Sequence, residues 1–154
     1  MTALLFILIT LVTFCLMEVV TWLTHKYVMH GFLWILHEDH HQPRYQHTFE
    51  KNDAFFVIFA IPSILLFYFG IRPELNFMFF IGLGILFYGV TYFLVHDVLI
   101  HQRFKWFRHT KNPYLKALRK AHKMHHKHLG KEDGECFGML LVPFKYYRQY
   151  LQTT

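Results

Sequence analysis

The chain has 154 residues, enough for one domain and few enough to make several unlikely to fit. It is 54% hydrophobic and 19% aromatic, with eighteen Phe, and only 17% of its residues are charged, a balance that excludes an ordinary soluble domain. The net charge of +6 sits beside membrane segments rather than on a nucleic-acid-binding motif, so nucleic acid is not the expected partner.

Residues 3–24 are apolar apart from Thr10, Thr13, Glu18, Thr21 and Thr24, and that length crosses a bilayer core. No positive n-region or small-residue cleavage site accompanies the run, so it reads as a retained helix and not a signal peptide. It leads into His25-x4-His30. The polar stretch 31–53 carries His37-x2-His40-His41. Asn52-Asp53 then offers an N-cap for a second apolar run at 54–70, kinked at Pro62 and short for a span. Gly70–Glu74 is a turn. A third run at 75–95 contains Gly82, Gly84 and Gly89, which permit close helix approach. It leads into His96-x4-His101. Residues 96–134 are basic and polar, with a helix expected over 115–128 that carries His122-x2-His125-His126 and ends near Gly130. Residues 136–151 are aromatic but interrupted by Pro143, Lys145 and Arg148, and read as lying on the membrane surface. The expected fold is an all-α integral membrane protein, residues 1–154 forming a single domain. It has about three transmembrane helices, a histidine-rich helical cap and a C-terminal interfacial segment.

In this arrangement one side of the membrane receives Arg72 alone of the Lys and Arg residues. The other fifteen share the side of the histidine motifs. The positive-inside rule then puts the N-terminus outside and the histidines in the cytoplasm. The basic face suits anionic lipid or an acidic partner.

Ten of the thirteen histidines fall into two repeats of the same pair of spacings: His25, His30, His37, His40 and His41, then His96, His101, His122, His125 and His126. Neutral imidazole is the commonest protein metal ligand, and ten are too many for one ion. In a helical H-x2-H-H the outer two side chains share a face, while the adjacent pair diverges by about 100°. Each triplet can therefore give two ligands to one metal and a third to another, so two facing triplets bracket a dinuclear site. H-x4-H is less convenient. Positions i and i+5 differ by about 140° on an ideal helix, so both reach one site only where the helix loosens. Ligand type does not select among zinc, copper, iron and nickel.

Metal-bound imidazoles donate their second N–H to a carboxylate or carbonyl. Glu38, Asp39 and Asp97 adjoin candidate ligands. Glu18 stands seven residues before His25 on the same helix face, and an intramembrane carboxylate needs a partner. Tyr92 shares a face with His96. His47, His109 and His128 lie outside the pattern and read as surface residues. Cys15 and Cys136 form no Cys-x-x-Cys motif, so neither a zinc ribbon nor a dithiol redox site is indicated.

The segments HKYVMHGF at 25–32, HEDHHQPR at 37–44, FEKND at 49–53, YFLVHDVLIHQR at 92–103 and YLKALRKAHKMHH at 114–126 resemble the fatty acid hydroxylase superfamily. They are most similar to its bacterial-type carotenoid-hydroxylating branch. The resemblance extends to Phe137-Gly138 before LLVP; the stretch Glu132–Cys136 departs from the pattern, which bears on ring-substituent preference. It implies a non-haem di-iron monooxygenase with two Fe2+ held by the ten histidines. Such an enzyme uses O2 and two electrons to hydroxylate C3, then C3′, of β-ionone rings, taking β-carotene to zeaxanthin through β-cryptoxanthin. It also implies a bacterial inner-membrane location. No dinucleotide-binding or haem-attachment motif appears, so electrons are expected from another protein, which the resemblance suggests is a ferredoxin with its reductase. Three alternatives stand beside this reading. One is a carotenoid ketolase; another is a fatty acyl or sterol hydroxylase or desaturase. A metal transporter is the third, though it would hold its ligands near mid-membrane.

Overall fold

A computed structural model describes residues 2–42 and 49–151. His47, Pro43 and Arg44 lie outside the described residues. Helix α1 (Ala3–Leu23) continues without a break into a π-helical segment, Thr24–Phe32. The backbone leaves helical geometry at Gly31 (φ −110°, ψ −122°) and turns into the short helix α2 (Trp34–His41). Helices α3 (Ala54–Gly70) and α4 (Phe77–Phe93) form a hairpin, and α4 runs on into a second π-helical segment, Leu94–Ile100. Helix α5 (Pro113–His125) and the short α6 (Phe144–Leu151) complete the chain. No strand is present among the described residues.

Three helical runs are long and apolar enough to cross a membrane: Ala3–Phe32, Lys51–Gly70 and Phe77–Ile100. The second run is longer than its apolar stretch. A 3₁₀ turn, Lys51–Asp53, precedes α3 and brings the continuous helix to 20 residues, enough to span without bending. The expected cap is also replaced. Glu50 is the capping residue, in a reciprocal capping box with Asp53, and Asn52 is buried and free for another task.

Helix α4 lies between α1 and α3, which scarcely touch each other. Two of its glycines make both contacts possible. A Cβ at Gly84 would fall 2.6 Å from Thr13 Cβ and 2.7 Å from the Thr10 carbonyl of α1. At Gly82 it would fall 3.1 Å from the Ser63 carbonyl of α3, where Ser63 donates to the Gly82 carbonyl at 2.9 Å. Outward-facing side chains such as Leu4, Leu16, Phe56 and Ile64 are exposed, the apolar belt expected against lipid.

Helix α5 begins two residues earlier than its apolar pattern and ends three residues sooner than expected. Asn112 caps it by accepting from the N–H groups of Tyr114 and Leu115, and Pro113 sits at the first position, where its missing N–H costs nothing. Arg119 of α5 donates to the carbonyls of Leu99, Phe107 and Arg108. That ties the helix to the end of the second π segment. Of the expected surface segment, only Phe144–Leu151 is helical. It packs Tyr146 onto Ala117 and Ala121 of α5, while residues 136–143 fold back over the histidines.

Candidate metal centre

All ten patterned histidines converge. His25, His30, His37, His41 and His125 form one group; His40, His101, His122 and His126 form a second. His96 joins the second group through His40, Nε2 to Nε2 at 3.0 Å. The two groups abut where the rings of His41 and His126 stack, centroids 4.4 Å apart.

Local geometry explains the sorting. On α2, His37 and His41 share a face and enter the first group, while His40 diverges into the second. On α5, His122 and His126 enter the second group, and His125 diverges into the first. The two triplets face each other and exchange their middle members. The H-x4-H pairs sit on the two π-helical segments. There the hydrogen bonds run from i to i+5, as from His101 N–H to the His96 carbonyl at 2.9 Å. Residues five apart then stand on one face. The loosening this spacing demands is supplied by the helix type itself.

Seven of the rings are held by Nδ1. His25 donates to the Phe137 carbonyl at 3.0 Å, His30 to Lys131 at 3.1 Å, His41 to His128 at 2.9 Å and His125 to Glu135 at 2.8 Å. His37 donates to Asn52 Oδ1 at 2.7 Å, His40 to Glu50 Oε2 at 2.7 Å and His96 to Asp97 Oδ2 at 3.2 Å. With Nδ1 protonated, Nε2 carries a bare lone pair. Yet Nε2 of His25 lies 3.2 Å from that of His37, His30 lies 3.2 Å from His125, and His40 lies 3.0 Å from His96. Three pairs of lone pairs face each other with no proton between them. Nε2 of His41 and of His126 are buried without a hydrogen-bond partner. A cation resolves each of these contacts: two nitrogens about 2.1 Å from one metal and at right angles stand about 3 Å apart. The donor set therefore fits metal ions.

Burial favours the neutral, ligating form of five of these imidazoles. It pushes His37 down to about 2, with Asn52 only partly opposing, His41 down to about 4 and His125 down to about 3. Burial and then the neighbouring histidines hold His40 and His122 well below the usual range.

The sequence-derived acidic candidates divide. Asp97 accepts from His96 Nδ1 and also takes Arg103 Nε at 3.1 Å. Asp39 instead accepts from the Lys51 N–H at 2.7 Å and supports the 3₁₀ turn. Glu18 does not reach a histidine. Its Oε1 accepts from the N–H groups of Met139, Leu140 and Leu141, each at 2.9 Å, and its Oε2 from Tyr88 at 2.6 Å. The carboxylate pins residues 139–141 to α1, and so holds the Phe137 carbonyl at His25. Glu18 thus bears on the His25 ring through the loop rather than by direct contact. Gly138 completes the clasp, since a Cβ there would meet the Leu141 carbonyl and approach Glu18 Oε1 at 3.3 Å. Tyr92 stacks on His96. His109 is exposed, as expected of a surface residue; His128 contributes its backbone carbonyl rather than its ring.

Sequence reasoning gave Glu50, Asn52 and Arg103 no role at the histidines, though they lie in the quoted FEKND and HDVLIHQR segments. Arg103 binds Glu50, Asp53 and Asp97 at 3.0–3.1 Å, linking the two carboxylates that orient His40 and His96. Burial raises the Glu50 carboxyl above its ordinary value, and Arg103 opposes the shift. Cys136 takes φ = 60°, a left-handed conformation costing a non-glycine residue roughly 1–2 kcal/mol. It stands between the two carbonyls that hold His125 and His25.

A cavity of about 470 Å³ leads to the histidines. Its walls are α1 (Met17, Thr21) and α3 (Phe55, Phe59), and its floor is α4 (Ile85, Gly89). At its inner end stand His25 of the first group and His96 of the second. Its lining is mostly apolar and comes from both α1 and α3, which scarcely touch each other.

Residues 10–145 match the fatty acid hydroxylase family. The chain belongs to that family. It is 46% identical over 136 residues to a β-carotene hydroxylase of Pantoea ananas, covering 88% of this chain and 77% of that protein. It is 41% identical over 133 residues to one of Pseudescherichia vulneris, covering 86% and 74%. A chloroplastic β-carotene 3-hydroxylase of Arabidopsis thaliana is 40% identical over 124 residues, covering 77% of this chain and 39% of that protein. No solved structure matches the chain.

Proposed function

We propose that this family member is a membrane-embedded carotenoid hydroxylase, adding hydroxyl at C3 and C3′ of β-ionone rings. The observation that carries the reading is the mostly apolar cavity that ends on one histidine from each group. A polyene dissolved in the bilayer enters between α1 and α3 without crossing water. The relatives' names point to the same substrate class. The ten histidines are the proposed ligands, five to each of two iron ions. Bound iron supplies O2 activation and C–H oxidation. The balance per ring is R–H + O2 + 2e⁻ + 2H⁺ → R–OH + H2O.

The chain's own residues bind, orient and exclude water. Phe55, Phe59 and Phe137 line the cavity and keep bulk water from the reacting carbon. Asn52, Glu50, Asp97 and the carbonyls of 128–137 fix seven of the imidazoles so that Nε2 faces inward. Electrons arrive from a donor protein, which we take to be a ferredoxin served by its reductase. The exposed Lys105, Arg108, Lys111, Lys123, Lys127 and Lys131 form a basic surface that suits an acidic donor. The same charge supports a cytoplasmic position for this face, with the N-terminus outside, in the inner membrane of a bacterial cell.

Pigment analysis of β-carotene-producing bacterial cells expressing the chain tests the reading against an empty vector. New β-cryptoxanthin and zeaxanthin are expected. Ketocarotenoids would make it a ketolase. Unchanged β-carotene, with the protein in the membrane and a ferredoxin supplied, would overturn carotenoid hydroxylation in favour of acyl or sterol oxidation.

A further inference from the structure

Helix α4 carries three glycines with different surroundings. Gly82 and Gly84 are filled by α3 and α1, as their close Cβ approaches show. A Cβ at Gly89 meets nothing within 4 Å, and Gly89 lines the cavity floor. A glycine inside a helix costs stability relative to alanine, and here no helix-packing contact compensates for it. The unfilled volume belongs to the cavity.

The substrate class proposed above, on which this inference rests, says what fills it. In a β-ionone ring, C3 lies opposite C6, the carbon that joins the polyene. For C3 to reach the histidines the ring must enter C3 first. Its widest part, the methyl-bearing C1 and C5 on either side of C6, then trails toward the membrane. Gly89 lies seven residues before His96, about 10 Å along the helix, on the membrane side of the Tyr92 ring that stacks on His96. We propose that Gly89 is a specificity-determining residue: its missing side chain makes room for the methylated shoulder of a cyclic end group and so sets how deeply the ring inserts.

The test compares Gly89→Ala, Gly89→Leu and wild type in purified, iron-loaded protein, reconstituted with a ferredoxin system and β-carotene. Val90→Leu, one residue on, exposed and outside the cavity, is the control. Metal content and carotenoid binding, read from the shift of the polyene absorption band, accompany turnover. Gly89→Ala is expected to raise KM several-fold. Gly89→Leu should cut kcat/KM by roughly tenfold or more, the scale of a misfitted methylene or two in an apolar pocket. Iron content should stay at the wild-type level, and Val90→Leu should behave as wild type. Iron-loaded Gly89→Leu with wild-type kcat/KM would overturn the proposal. If leucine prevents folding, an unchanged KM in Gly89→Ala does the same. Wild-type protein that binds iron but leaves β-carotene unconverted would instead sink the hydroxylase reading itself.

Discussion

The two histidine groups are alike in number and differ in what holds them. The first is held mostly by backbone: the carbonyls of Phe137, Lys131, His128 and Glu135 orient four of its rings, and the neutral Asn52 a fifth. In the second, Glu50 orients His40, Asp97 orients His96 and Arg103 ties both carboxylates together. A carboxylate acceptor makes its imidazole a stronger donor to metal than a neutral carbonyl does. The same count of nitrogens is therefore supported in two ways, one depending on a folded loop and the other on an ion-pair network.

Removing a ligand breaks the comparison most completely. His40→Ala is expected to abolish hydroxylation while the protein still inserts in the membrane. The variant should retain metal in the first group and lose it from the second, which elemental analysis of the purified protein reads directly. Near-normal turnover would remove His40 from the ligand set.

Arg103→Ala is next. It leaves Glu50, Asp53 and Asp97 close together without their shared cation, and both carboxylates that orient the second group lose their fixed positions. Loss of such outer partners typically costs about 10–100-fold in metal affinity or activity. The loss should fall on one metal of the two. Equal depletion of both would show that the network does not belong to the second group alone.

Much of this division is legible before any coordinates. The roughly 100° between adjacent helical residues separates His40 from His37 and His41, and His125 from His122 and His126, as the structure does. The awkward i, i+5 spacing asks for a loosened helix, and both pairs stand on π-helical segments. The backbone half of the design is not legible. Any residue can offer a carbonyl, so nothing in the side chains of Lys131 or Phe137 announces that their oxygens hold rings more than a hundred residues away in sequence. Glu50 and Asn52 left a signal, being acceptors ten and fifteen residues from the rings they hold, those of His40 and His37. A reading that confined orienting groups to immediate neighbours passed over them. Glu18 was singled out because a membrane carboxylate needs a partner. That the partner is three consecutive N–H groups of a distant loop depends on tertiary folding alone.

Glu18→Ala probes the loop-held site. It leaves the buried Met139 N–H without an acceptor, at about 1–3 kcal/mol, along with the part-buried N–H groups of Leu140 and Leu141, and frees residues 139–141 from α1. A lowered melting temperature and selective loss of metal from the first group are expected. Glu18→Gln, which keeps an acceptor oxygen, should restore most of both. If Glu18→Ala depleted the second group instead, the link from Glu18 through Phe137 to His25 would be wrong.

The smallest expected effect sharpens the comparison best. Asn52→Asp keeps the acceptor oxygen 2.7 Å from His37 Nδ1 but replaces a neutral group with a carboxylate, giving the first group one anchor of the kind found in the second. Size and geometry are preserved, so protein yield and metal content should match wild type. The added negative charge favours the more oxidised metal, so the reduction potential of the first site should fall while hydroxylation changes only modestly. An unchanged potential would mean that the carboxylates of the second group serve to position their rings and not to tune them. The asymmetry between the groups would then be one of scaffolding alone.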